Sequence, residues 1–129
     1  MGPPEARVGK AILLTQPDVR AVQLAKGALR TGIELLCREH DFPRPARILL
    51  AGSFGSAVNK ADALTIGLFP PIPEADIEAV GNAAGLGAVL ALFNPACFDA
   101  ARDLAARTRV FDLAAHPDFQ KTFIAHLSF

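Results

Sequence analysis

Apolar and polar positions along this chain follow two different periods, and the changes of period divide it into elements. "AILLT" (11–15) is a short apolar run that predicts a strand. Thr15 with Asp18 three positions on is the T-x-x-D signature of a helix start that tolerates Pro17 in its first turn. The helix this predicts runs from Gln16 to about His40, with Val22, Ala25, Leu29, Ile33 and Leu36 on one face. Gln23, Lys26, Arg30 and Glu34 form a polar stripe elsewhere on it. Asp41 to Pro45 stop it, "ARILLAG" (46–52) predicts a second strand, and "NKADALTIGLF" (59–69) predicts a short helix closed by Pro70 and Pro71. "EADIEAVG" (74–81) supplies a further short strand before Asn82 caps a helix over "AAGLGAVLALF" (83–93). Asn94 and Pro95 open another helix to about Arg107, and "RVFDLA" (109–114) reads as a strand. "HPDFQKTFIAHL" (116–127) closes the chain as a helix with Pro117 in its first turn. Such alternation predicts an α/β fold, a mixed or mostly parallel sheet flanked by helices, in which ligands bind beyond the carboxyl ends of strands.

Composition narrows this picture. A chain of 129 residues with 51% hydrophobic content has room for one domain with its own core and is too short for two ordinary ones. Thirteen basic residues balance thirteen acidic ones and no basic run stands out, so the footprint that nucleic acid or an anionic membrane requires is missing. The longest strongly apolar stretch, "LGAVLALF" from Leu86 to Phe93, falls far short of the roughly 20 residues that cross a bilayer. The opening "MGPPEARVGK" lacks the apolar segment of a secretion signal. Residues 1–10 therefore read as a ragged or engineered terminus, 11–129 as a single lobe, and the cytoplasm as the expected location. Cys37 and Cys97 each fall in an apolar helical pattern and read as reduced thiols. His40, His116 and His126 have no metal-ligand spacing, so no metal is assigned. Phe111, Phe119, Phe123 and Phe129 are expected to pack the last strand and helix into the core.

Two small-residue patches carry candidate chemistry. After the second predicted strand, Gly52 and Gly55 allow backbone torsions and close approaches that a Cβ forbids, while Ser53 and Ser56 add small donors and acceptors. A planar or phosphorylated ligand fits such a loop, and so does a plain strand-to-helix turn. The spacing matches neither the nucleophile elbow G-x-S-x-G nor the phosphate loop G-x-x-x-x-G-K-[ST]. At "VGNAAGLGA", Gly81, Asn82 and Gly85 open a helix whose amides can face a phosphate, with close helix-on-sheet packing as the alternative.

"TQPDVRAVQLAKGALRTGIELL", "ILLAGSFG", "IGLFPPI" and "VGNAAGLGAVLAL", in that order, resemble the carboxyl-terminal part of the ATP-dependent reductive activators of corrinoid proteins, across about Ile12 to Phe129. That family belongs to the acetate kinase, sugar kinase, chaperone and actin ATPase superfamily, whose two ribonuclease-H-like halves close on ATP. The resemblance implies that this chain is one ribonuclease-H-like half of an actin-like ATPase fold. It also implies that Ala51, Gly52, Ser53, Phe54 and Gly55 are the adenosine motif, with Ser53 standing where the family usually has a second glycine. A hydroxymethyl there narrows the cleft or contacts ribose. In the family the preceding helix runs beside the nucleotide, which makes Gln23, Lys26 and Arg30 candidates for purine or ribose contacts, a solvated face being the alternative.

By the same resemblance, ATP or ADP with Mg2+ is the cofactor of the full protein, which couples ATP hydrolysis to reduction of cob(II)alamin to cob(I)alamin. The D-x-G-T-like segment that holds magnesium and phosphate does not occur here, and neither does a four-cysteine ferredoxin pattern. A partner amino-terminal lobe and a 2Fe–2S domain are therefore expected outside this segment, and no catalytic residue is assigned within it. The competing class is a docking or dimerisation module that binds a corrinoid protein without nucleotide, supported by the high apolar content. A self-contained small-molecule enzyme lacks any nameable acid, base and nucleophile.

Overall fold

The computed structural model describes residues 13–129. The expected tail 1–10, with Ala11 and Ile12 of the first predicted strand, lies outside the described residues. Leu13 to Thr15 carry no strand, and both leucines are exposed. Helix α1 spans Gln16–Glu39 and begins where the sequence places it. The Asp18 amide donates to Thr15 Oγ1 (3.4 Å), and the Asp18 carboxylate accepts from the Thr15 amide (2.8 Å) and hydroxyl (2.6 Å). These bonds, the hydroxyl's first, hold the Asp18 carboxyl below its ordinary range.

The face that α1 buries is not the one its apolar spacing predicts. Val22, Leu29 and Leu36 stay exposed, whereas Lys26, Gly27, Thr31, Gly32 and Leu35 are buried. The cause is a close approach. A Cβ on Gly27 would lie 3.2 Å from Leu127 Cδ2 and 3.3 Å from Phe123 Cε2, and one on Gly32 would lie 3.2 Å from Leu113 Cδ1. The carboxyl-terminal helix α6 (Phe119–Ala125) thus packs along a groove of small residues, burying that strip and leaving the larger side chains outside.

Strand β1 (Ile48–Ala51) leads directly into α2 (Gly52–Ala57), so the predicted loop is one and a half turns of helix. Helix α3 (Lys60–Thr65) follows, its first turn capped by Asn59 Oδ1 accepting from the Asp62 amide at 3.1 Å. After a 3-10 turn at Glu74–Asp76, β2 (Ile77–Gly81) pairs with β1 in parallel: Ile48 opposite Ile77, Leu50 opposite Ala79, and Ala51 opposite Gly81. The register slips between Leu50 and Ala51, so Val80 is the extra residue. Leu50, Ala63, Leu68, Phe69, Ile72 and Ile77 form the buried core beneath this pair, flanked by Ile33, Ile48 and Val58.

Helices α4 (Ala83–Phe93) and α5 (Pro95–Arg107) form a hairpin around Asn94, which ends one and caps the other. They pack on each other, and neither contributes a buried residue. The segment 109–114, predicted as a strand, is irregular. Asp112 Oδ1 accepts from the amides of Ala114 (3.1 Å) and Ala115 (3.2 Å), which turns the chain, and Leu113 docks on Gly32. Pro117 precedes α6 instead of entering its first turn, with Asp118 at the cap position. Phe111, Phe119 and Phe123 are half-buried, whereas Phe129 remains exposed. No helix among the described residues is long and apolar enough to cross a membrane.

Candidate functional site

The two glycine turns meet at the carboxyl edge of the sheet. Ala51 ends β1 opposite Gly81, the end of β2, so Gly52 and Asn82 leave the sheet side by side. Gly52 has φ +78° and Gly81 φ +64°, torsions that L side chains rarely adopt. A Cβ on either would meet nothing within 4 Å. Space is therefore open in front of both turns, and the glycines there serve the backbone path. Gly55 differs, since a Cβ would lie 2.6 Å from the carbonyl carbon and oxygen of Leu50, so this glycine lets α2 sit tightly on β1.

Two helices begin at this edge. Ser53, exposed, and Phe54 belong to the opening turn of α2, whose first amides have no intrahelical acceptor. Ser56 Oγ donates back to the Gly52 carbonyl at 3.3 Å. Asn82 Oδ1 accepts from the Gly85 amide at 2.9 Å and caps α4, and the same side chain occupies the position a Cβ on Gly85 would need. The two helices thus start from neighbouring strand ends, at the carboxyl edge of the sheet.

The polar stripe of α1 goes elsewhere. Gln23 is half-buried in a hollow with Arg20, Leu24 and Leu127. Lys26 is 3% exposed; its ammonium donates to the carbonyl of Ser128 and sits 5.2 Å from the centre of the Phe129 ring. Arg30 shares a cleft of about 240 Å³ with Lys26, Thr65, Gly67, His126 and Phe129. The structure thus brings Ala51 to Gly55 together with Gly81 and Asn82, and brings Gln23, Lys26 and Arg30 to the carboxyl-terminal segment. Burial, then the neighbouring Arg30 charge, lowers the Lys26 pKa, and burial lowers that of Arg30.

Ser128 and Phe129, which meet Lys26, are not legible as site residues in the sequence. Gly27 and Gly32 are the signal that a helix approaches here. Glu34 lies beside them, 2.6 Å from His126 Nε2 and paired with Arg38. Burial raises the Glu34 pKa, but the His126 hydrogen bond and the charges of Arg38, His126 and Arg30 outweigh it and hold the carboxyl below its ordinary range.

A family model described as the C-terminal domain of RACo, the ASKHA domain, matches residues 3–129. This chain belongs to that family. It is 37% identical over 123 residues to the corrinoid activation enzyme RamQ of Eubacterium limosum, covering 94% of this chain and 21% of that protein. A solved structure, a reductive activator for corrinoid, iron-sulfur protein, superposes with a TM-score of 0.81 at 28% identity, over 90% of this chain and 19% of its own. The chain therefore spans about a fifth of the length of the relatives it matches. The RACo family assignment makes the small parallel sheet with flanking helices part of an ASKHA domain, and the glycine edge lies at the carboxyl ends of its strands.

Proposed function

We propose that this ASKHA segment is the adenine-nucleotide-binding lobe of a corrinoid reductive activator, and that Ala51, Gly52, Ser53, Phe54, Gly55, Gly81 and Asn82 form its nucleoside cradle. The observation that carries this is the pair of left-handed glycine turns, Gly52 and Gly81, side by side at the strand ends with open space before each. A nucleoside lying against a strand end needs a backbone without side chains, and the start of α2 offers amide donors to its polar edge. In the whole protein, ATP with Mg2+ supplies the free energy that drives reduction of cob(II)alamin to cob(I)alamin. The electron is delivered by a 2Fe–2S domain elsewhere in the longer chain. The lobe's own task is to grip adenosine and to carry that binding to the partner lobe and the corrinoid protein.

Titration calorimetry with ADP tests the cradle. Asparagine tolerates left-handed torsions, so Gly52→Asn keeps the turn while filling the space in front of it. ADP binding is expected in the wild-type chain and lost in Gly52→Asn at unchanged helix content. Equal affinity in a folded variant removes the turn from the site. A second reading, a docking or dimerisation module that works without nucleotide, has one observation in its favour: Leu86, Leu92 and Phe93 of α4 and Phe98 of α5 are all exposed. Light scattering beside the titration separates the two, since a concentration-dependent dimer with no ADP heat supports the module.

A further inference from the structure

Lys26 presents an unusual electrostatic arrangement. An ammonium that is almost wholly removed from water normally has a carboxylate beside it, because burying an uncompensated charge is costly. Among the described residues Lys26 has none within ion-pair distance, and its ammonium, with three donors, is met by one neutral carbonyl and one aromatic ring. Arg30, one turn along α1, lines the same cleft and also lacks an ion-pair partner among the described residues. The acidic neighbours do not correct this. Glu34 is engaged by His126 and Arg38, and Asp62, although it lines with Lys26 the groove between α1 and α3, makes no ion pair with it. The cleft walls otherwise offer the Thr65 hydroxyl and the positive-φ turn at Gly67, whose missing Cβ would be 3.6 Å from the Lys26 ammonium.

We propose that this cleft, between α1, the α3 turn at Thr65–Gly67 and the carboxyl-terminal Ser128–Phe129, is a binding site for the oxyanion of a small molecule, held by Lys26 and Arg30. The Ser128 carbonyl occupies one donor of the lysine in its absence. The guanidinium of Arg30 supplies two parallel donors of the kind that match a phosphate or a carboxylate, and Lys26 supplies the second charge from the buried side. The exposed Phe129 ring closes one wall, leaving room for a group of phosphate size in the 240 Å³ cleft. The cleft is built from other residues than the glycine edge, so this site and the nucleoside cradle stand or fall separately.

Calorimetric titration of the 129-residue chain with inorganic phosphate at low ionic strength tests the proposal, with sodium acetate as a parallel arm. Phosphate is expected to bind, and Arg30→Gln, at a half-buried position where Glu34 keeps its His126 and Arg38 partners, is expected to weaken it roughly tenfold or more, the scale of one charged hydrogen bond. Lys26→Met, which keeps the stem and removes the charge, is expected to weaken it at least as much. The distant Lys121→Gln is expected to leave it unchanged. Stronger binding of acetate than phosphate assigns the site to carboxylates, and the reverse assigns it to phosphates. Absence of binding of either anion, or phosphate affinity unchanged in folded Arg30→Gln, overturns the proposal.

Discussion

The core under β1 and β2 and the hairpin of α4 and α5 are both rich in apolar residues, yet they put them to opposite use. In the first, six residues from β1, α3, the 68–72 segment and β2 close into a buried cluster. In the second, the sequence "AAGLGAVLALF" is apolar on every side, yet Leu92 is 78% and Phe93 80% exposed. A helix that is apolar all round is written for burial on several faces, and here it packs chiefly on α5 and buries none of its residues. Local pattern therefore decides that a segment is helical, whereas burial depends on which neighbours are present.

This contrast can be sharpened by substitution. Ile77→Ala, at a position 1% exposed, should cost about 2–5 kcal/mol, whereas Leu92→Ala should change the stability of the same chain by about 0.5 kcal/mol or less. Urea unfolding of both variants measures the difference, and equal losses would mean that α4 is covered in solution. Gly55→Ala forces a Cβ against the Leu50 carbonyl, and overpacking of this kind should cost about 1–3 kcal/mol, read as a lowered midpoint. Thr31, fully buried on the α1 face, has a hydroxyl without a hydrogen-bond partner among the described residues. Thr31→Val should therefore raise stability by about 1 kcal/mol, and a loss would reveal a partner for that oxygen.

The smallest effect is in pH. Because the folded pKa of Glu34 lies below its ordinary unfolded value, its contribution is fully present above that ordinary value and is lost as pH falls through the lowered folded one. Glu34→Gln should flatten that part of the acid limb, leaving the slope due to Asp18. An unaltered limb in acid titrations followed by circular dichroism would show that the His126 and Arg38 contacts do not persist in solution.

Sequence pattern located most boundaries because caps are local chemistry: Thr15 with Asp18, Asn59, Asn82 and Asn94 each satisfy amides within three residues of themselves. It misplaced what depends on distant partners. The buried strip of α1 follows from glycines that admit α6, and a count of large apolar side chains is blind to it. "RVFDLA" has strand-like residues, but a strand needs a neighbour to pair with, and the Asp112 turn takes the chain away from the sheet. Of the candidate site, Ala51 to Gly55 and Gly81 were legible as glycine-rich strand ends. Their adjacency was not, since it depends on the extra residue at Val80 that sets Gly81 opposite Ala51.

The contact of Lys26 with Ser128 also bears on the order in which the molecule is made. It joins positions 102 residues apart, while α4 and α5 need only each other across a single connecting residue. During synthesis the hairpin can form as soon as it clears the ribosome, but the glycine face of α1 must wait for residues 123–128. For that interval the small-residue groove and its lysine stay uncovered by the segment that fills them in the folded chain. The earliest helix among the described residues is, in this sense, the last to be completed.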